Sequence, residues 1–242
     1  MNRKYYIELI GVNGSGKTTL ADKLADYFRS RSLSVLELPH PPGQLKSSKD
    51  LSHRIPKILR YYTRNPGGVL SCLHARLNPR FGYRGSLHTL LKRRYETGKH
   101  LRKKVDVIIQ HEGTFQFYRT TGHHFARADR IPGYHTVYHL RRKGYQPVII
   151  NLSADLDLVL ERCTSERLSV PDPSGWSLAG ESPVRLRQIL GEWIVKKDKV
   201  AGLLRKSGVP VIDISTNKPV NESHDDLVQQ IEEVMSKSGS PS

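Results

Sequence analysis

A three-layer α/β/α fold around a five-stranded, mostly parallel sheet is what this sequence predicts, and three observations predict it. An apolar run at residues 5–10 ends on Gly11, the pattern of a buried strand. Four more short apolar runs follow, at 34–38, 105–110, 147–152 and 209–214. Between them the apolar residues return at helical spacing, and strands alternating with helices build a parallel sheet covered on both faces.

The elements follow in order. Leu20, Leu24 and Phe28 predict a helix over 18–28 that begins inside a glycine-rich turn. The second strand, 34–38, runs into Pro39, Pro41, Pro42 and Gly43, which end regular structure. The interval of about 40–104 is too long for a plain loop and reads as an insert containing helices. Leu51, Ile55, Ile58, Leu59 and Tyr62 share one helical face there, and Leu87, Leu90, Leu91 and Tyr95 another. A helix over 155–166 follows the fourth strand, with Ser153 as its N-cap. Residues of about 167–182 are rich in Pro, Gly and Ser, the composition of a mobile lid. A long helix over 183–207 stops at Gly208, and a closing helix occupies 222–235. Residues 1–235 are thus expected to form one domain, and 236–242 a disordered tail.

The chain has 242 residues, 37% of them hydrophobic and 26% charged, which suits one packed core. No run approaches the roughly 18 apolar residues of a membrane span. The N-terminal run is broken by Glu8 and the glycines, so it reads as a strand and not as a signal peptide. Cys72 and Cys163 have neither metal-ligand spacing nor the pattern of a disulfide framework, which points to a reducing cytoplasm. His123 and His124 read as a surface pair. The formal net charge is +16, and one segment carries nearly all of it. Residues 40–104 hold 16 Lys and Arg against Asp50 and Glu96, a local charge of +14, which predicts a surface that faces anions.

Between the first strand and the first helix stands Gly11-Val12-Asn13-Gly14-Ser15-Gly16-Lys17-Thr18, a phosphate-binding loop in the context that motif requires. Its glycines let the backbone curl so that amide N–H groups point inward at phosphates, and the helix N-terminus adds the positive end of its dipole. The predicted nucleotide-binding residues are Gly11, Asn13, Gly14, Ser15, Gly16, Lys17, Thr18 and Thr19. Lys17 is placed to neutralise the β and γ phosphates and Thr18 to ligate Mg2+, so ATP with Mg2+ is the expected cofactor pair. In an open parallel sheet the ligand lies beyond the carboxyl ends of the strands. Glu112, just past the third strand, is therefore expected near the γ-phosphate, either in the Mg2+ shell or as the base for an attacking hydroxyl. Arg162 and Arg167, on the helix after the fourth strand, are expected to neutralise charge on the transferring phosphoryl group. Arg185 and Arg187 return on the far side of the lid, and Asp106, at the start of the third strand, belongs to the opposite edge.

The loop and its surroundings resemble the P-loop kinases, and within them the nucleoside monophosphate kinase group. The stretch Gly-Val-Asn-Gly-Ser-Gly-Lys-Thr-Thr-Leu at 11–20 is thymidylate kinase-like, Pro41-Pro42-Gly43 is similar to that family's Pro-Gly turn, and 156–167 to the helix leading into its arginine-bearing lid. The resemblance implies a P-loop NTPase fold, an acceptor site in the segment between strands two and three, and transfer of the γ-phosphoryl group of ATP. Two positions depart from the pattern. His111-Glu112-Gly113 replaces the family's Asp-Arg pair, and His40 stands where an arginine would hold the acceptor phosphate. A glutamate at that strand end resembles the deoxynucleoside kinases, which follow it with arginine where this chain has Gly113.

The expected function is an ATP-dependent small-molecule kinase. Its acceptor is a hydroxyl or phosphate of an anionic compound: a nucleoside, a nucleotide or a sugar, the last free or as a membrane-bound glycan. Basic amphipathic stretches such as 87–104 extend the expected location from the cytoplasm to the inner membrane surface. The alternative is a nucleic-acid-binding P-loop NTPase or polynucleotide kinase, in which Tyr61, Tyr62, Phe81, Tyr83 and Tyr95 stack bases among the basic residues. A GTPase reading lacks an Asn-Lys-x-Asp stretch.

Overall fold

In the computed structural model the first strand, β1 (Lys4–Ile10), is buried from both sides. The structure describes residues 3–38, 63, 73, 98–111, 113, 115, 134–169 and 181–237, without the side chains of 134–136, 138 and 166–169. Along β1 the side chains alternate between faces. Tyr5, Ile7 and Leu9 pack against Leu20, Leu24 and Phe28 of helix α1 (Lys17–Ser30). Tyr6 and Ile10 turn to the other face, where separate apolar clusters cover them. An uninterrupted apolar run is what such a doubly covered strand requires.

The partners of β1 are β3 (Val107–Gln110) on one side and β4 (Tyr145–Ser153) on the other. β2 (Val35–Leu38) pairs outside β3, and β5 (Val211–Ser215) outside β4. The order β2-β3-β1-β4-β5 is parallel throughout, as expected from the sequence. Helix α2 (Tyr134–Arg142) precedes β4, and α3 (Leu156–Ser169) and α4 (Pro183–Lys206) lie between β4 and β5. The last helix, α5 (Val220–Lys237), shares the α1 face through Leu227 and Ile231. On the opposite face Val137 of α2 and Val200, Ala201 and Leu204 of α4 cover Ile10 and Ile149. The result is the three-layer α/β/α P-loop fold.

Several boundaries differ from the sequence reading, each for a local reason. Ser153 is not an N-cap: it completes β4, where its carbonyl accepts from the Thr216 amide at 2.8 Å. Helix α3 begins after Asp155, whose amide donates to Asn217 Oδ1 at 2.7 Å. Ser236 and Lys237 belong to α5 and not to the tail. The tail residues 238–242 and the proposed insert helices lie outside the described residues, though Thr63, Leu73 and residues 98–100 have helical backbone. Pro147 is tolerated inside β4 because β5 pairing begins only at Ile149, leaving β4 with one neighbour at that point. Ser182 caps α4 just ahead of Pro183, its Oγ accepting from the Arg185 amide at 3.3 Å.

Two polar seams join neighbouring elements within their layers. Tyr27 of α1 donates its hydroxyl to Glu232 Oε1 of α5, and burial followed by that bond pushes the phenol up to about 12. At the amino edge of the sheet Asp106 Oδ2 accepts from the Ser34 amide at 2.9 Å and from the Ser34 hydroxyl, which joins β2 to β3 before their pairing starts. These bonds to Ser34, with Lys4 nearby, hold the Asp106 carboxyl below its ordinary value of 3.8. A native pKa below the unfolded one contributes stability above the unfolded value, and that contribution is lost as pH falls through the native value. Asp106→Ala is therefore expected to lower the unfolding free energy by about 1 kcal/mol at neutral pH. The gap to wild type should close below about pH 4, as followed by urea denaturation across a pH series.

Candidate active site

The loop between β1 and α1 occupies the carboxyl end of the central strand, where parallel sheets place their ligands. Gly16 is the N-cap of α1 and has φ 79°, in the left-handed region that favours glycine. Gly14, with φ 77°, lies against α3: a Cβ there would stand 3.0 Å from both Cys163 Sγ and the Val159 carbonyl. A Cβ on Gly11 would meet Ser15 Oγ at 2.5 Å. Gly11 and Gly14 are thus positions where neighbouring protein atoms fill the space of a side chain, and Gly16 is one where the backbone turn favours glycine, which together give the tight curl whose amides can face a triphosphate.

Lys17 shows how the loop balances its charge. Its side chain is 8% exposed, and Nζ donates to the carbonyls of Val12 at 2.8 Å and Gly11 at 3.2 Å. The ammonium therefore lies along the loop that supplies the amides. Thr18 and Thr19 begin the helix with exposed side chains, available to a metal ion and to phosphate oxygens. Ser15 Oγ is buried without a hydrogen-bond partner among the described residues, a polar atom that a bound phosphate oxygen would satisfy. Asn13 is half-buried at the crest of the loop. This donor set fits a nucleoside triphosphate with its Mg2+.

Arg162 is brought to the loop, but from the middle of α3, since that helix continues to Ser169. Its guanidinium donates to the Gly14 carbonyl at 3.3 Å and to the Thr216 carbonyl at 2.9 Å, so it braces the loop against the end of β5. Arg167 lies on the last turns of α3, and its side chain is not described. Arg187 bonds Asp157 and joins α4 to α3, while Arg185 bonds Gln188 on its own helix. Glu112 and residues 170–180 of the lid lie outside the described residues. Asp106 sits at the amino edge, as the strand direction requires. So do Lys99, Arg102, Lys103 and Lys104, all exposed and all before β3. Burial, with Lys103 and Lys99 beside it, holds the His100 imidazole below its ordinary range.

In the sequence Glu8 is only a break in an apolar run. It is completely buried, on the β1 face opposite α1, in register with Gln110 of β3. The Tyr6 hydroxyl lies 3.4 Å from its Oε2 and donates to Gln110 Oε1. Gly113 passes directly over this carboxylate: a Cβ there would stand 2.1 Å from Glu8 Oε2. The glycine that follows Glu112 is thus required by a buried acid three residues before the phosphate loop. The signal in the sequence was the acid itself, in the middle of a strand that is otherwise apolar.

Loop, sheet order and strand-end placement together define a P-loop protein of the α/β class. No family model matches the chain. It is similar to the thymidylate kinase of Protochlamydia amoebophila (strain UWE25), at 39% identity over 49 residues. That match takes in 20% of this chain and 21% of the relative, so the chain spans about a fifth of the length of the curated relative it matches. Among solved structures, a candidate kinase from Chloroflexus aurantiacus superposes with TM-score 0.48 and 17% identity, covering 99% of this chain and 100% of the other. A shikimate kinase from Acinetobacter baumannii, in complex with shikimate, gives 0.43 and 16%, with 99% and 97% covered. Both overlays are too loose to bear on topology or substrate, and the fold stands on its own strand order.

The fit of Gly113 over Glu8 makes a prediction of its own. Gly113→Ala forces the carboxylate or the chain to move and is expected to destabilise the protein by about 1–3 kcal/mol. Thermal and urea unfolding of this variant measure the loss, and the same change at solvent-facing Gly202 of α4, where a Cβ meets nothing within 4 Å, should not reproduce it.

Proposed function

We propose that this chain is an ATP-dependent small-molecule kinase that transfers the γ-phosphoryl group to a hydroxyl or phosphate of an anionic acceptor. The observation that carries the reading is the loop, with Lys17 buried along its carbonyls and exposed Thr18 and Thr19 opening α1. The 49-residue likeness to a thymidylate kinase supports the same class of chemistry.

In this reading the loop amides and Lys17 hold the β and γ phosphates, and the Thr18 hydroxyl ligates Mg2+. Bound ATP·Mg2+ supplies an activated phosphoryl group. The bond from γ-phosphorus to the β–γ bridging oxygen breaks as the acceptor oxygen bonds to phosphorus, and ADP leaves. Glu112 takes the proton of an acceptor hydroxyl or orders the Mg2+ water shell. Arg162 acts through the loop it braces, and Arg167, further along the same helix, reaches for the transferring group. Acceptor charge is met by basic residues of the insert before residue 98, because Lys99 and Lys104 stand at the far edge of the sheet. A nucleoside, nucleotide or sugar is the acceptor class of this reading, and the exposed cations at the far edge are not part of it.

The test is a phosphate-transfer screen with ATP·Mg2+ against nucleosides, nucleotides and sugars, read by mass spectrometry. Transfer to none of them sinks the kinase reading. In the same assay Lys17→Ala is expected to lower turnover by on the order of 100-fold or more with the fold intact by circular dichroism. Glu112→Gln keeps shape but cannot take a proton, and should lower the transfer rate by at least about 100-fold while ATP affinity changes little. An unchanged rate in Glu112→Gln would move the proton-accepting role to another group.

A further inference from the structure

We infer that Asp22, Glu37 and His111 form a site for a divalent transition-metal ion, Zn2+ by its donor set, on the α1 side of the sheet. The trio shares no residue with the Mg2+ position proposed at the phosphate loop, and the inference does not depend on the kinase reading. The three residues come from three elements: the second turn of α1, the edge strand β2, and the end of β3. One donor atom from each lies within 4.8 Å of the other two.

The Glu37 spacing is that of two ligands on one ion, and Asp22 stands a few tenths of an ångström beyond it, too far for a hydrogen bond. His111 Nε2 stands 3.5 Å from Glu37 Oε1 and 3.8 Å from Asp22 Oδ1. An N–H to oxygen bond spans about 2.7–3.2 Å. Donor atoms bound at 2.0–2.2 Å to one tetrahedral Zn2+ stand about 3.3–3.6 Å apart. The His111 side chain is 3% exposed, and its backbone amide donates to the Leu38 carbonyl at 3.3 Å, which ties the imidazole to the β2–β3 edge.

The surroundings prepare these donors. Arg29 donates to Glu37 Oε2 at 3.1 Å and to Asp26 Oδ1 at 2.8 Å, so Glu37 is held from behind with Oε1 left toward His111. Outer contacts of this kind fix the direction of a metal ligand. Asp22 is 55% exposed, which leaves an entry path and room for water in the fourth position. Two carboxylates and one imidazole, partly offset by Arg29, leave a net negative pocket in a chain of net charge +16. Imidazole with carboxylate favours Zn2+ over the hard, all-oxygen cations. An ion there would clip α1, β2 and β3 together at the residue that directly precedes Glu112.

The experiment uses the full chain, free of any histidine tag and without nucleotide. Competition with a chromogenic chelator should show one Zn2+ bound per chain, and Co2+ substitution should give the visible absorption of a four-coordinate N/O site. His111→Ala should weaken binding at least about 100-fold, since even outer partners of a ligand are worth roughly 10–100-fold. Asp22→Asn, at an exposed position that does not threaten folding, should weaken it as well, and Glu161→Gln, at an exposed carboxylate on α3, should leave it unchanged. No stoichiometric uptake by the wild type, the result of a simple imidazole–carboxylate pair, would overturn the proposal. So would uptake that persists in both His111→Ala and Asp22→Asn, which would locate the ion at other histidines.

Discussion

The buried ammonium of Lys17 is held by two carbonyls, those of Gly11 and Val12, and a good part of the molecule is arranged around presenting them. Those carbonyls point inward because the chain turns through Gly14 and Gly16 at positive φ. The turn keeps its shape because three other elements press on it. Leu152 at the end of β4 closes on Gly11, Cys163 and Val159 of α3 close on Gly14, and Thr216 beyond β5 is near Gly16. At Gly11 and Gly14 these contacts leave no room for a Cβ, whereas Gly16 is favoured by its positive φ, so the loop's composition follows from packing at two positions and from backbone shape at the third. The strands carry the loop, and burial of β1 on both faces keeps its carboxyl end from moving relative to its neighbours.

Parallel strands also give the molecule a direction. Gly11 to Thr19, Arg162 and the chain leaving β3 all gather at the carboxyl edge. The described cations of the basic segment, Lys99, Arg102, Lys103 and Lys104, gather at the other. Charge counted along the sequence groups residues 40–104 as one basic segment, whereas strand direction sets its last cations at the edge away from the phosphate loop. Proximity in sequence to an acceptor-binding insert is therefore a poor guide to which of its cations can meet an anion at the loop.

Local patterns were legible where local physics decides the structure. The phosphate loop, the five strands and the start of α4 at Pro183 depend on neighbouring residues, and the sequence shows them. Helix α2 was not legible: Val137 and Leu140 are the described apolar residues on its buried face, too few for periodicity to stand out among His, Tyr and Arg. Ser153 has the right chemistry for a cap, but the strand pairing with β5 claims it first. Glu8, Gly113 and the trio of Asp22, Glu37 and His111 were out of reach for a different reason. Their meaning lies in contacts between elements far apart in the chain, set by strand order and register, which no window of sequence contains.

Arg162 gives the fold a mechanical character. One of its arms rests on the loop carbonyl of Gly14 and another on Thr216, while its own backbone belongs to a continuous helix that runs on to Ser169. A helix rises about 1.5 Å per residue and bends little over a few turns, so it behaves as a rod. Through Arg162 the Gly14 carbonyl and Thr216 are strapped to the whole of that rod, so the cradle is fixed to α3 and to the end of β5 at once.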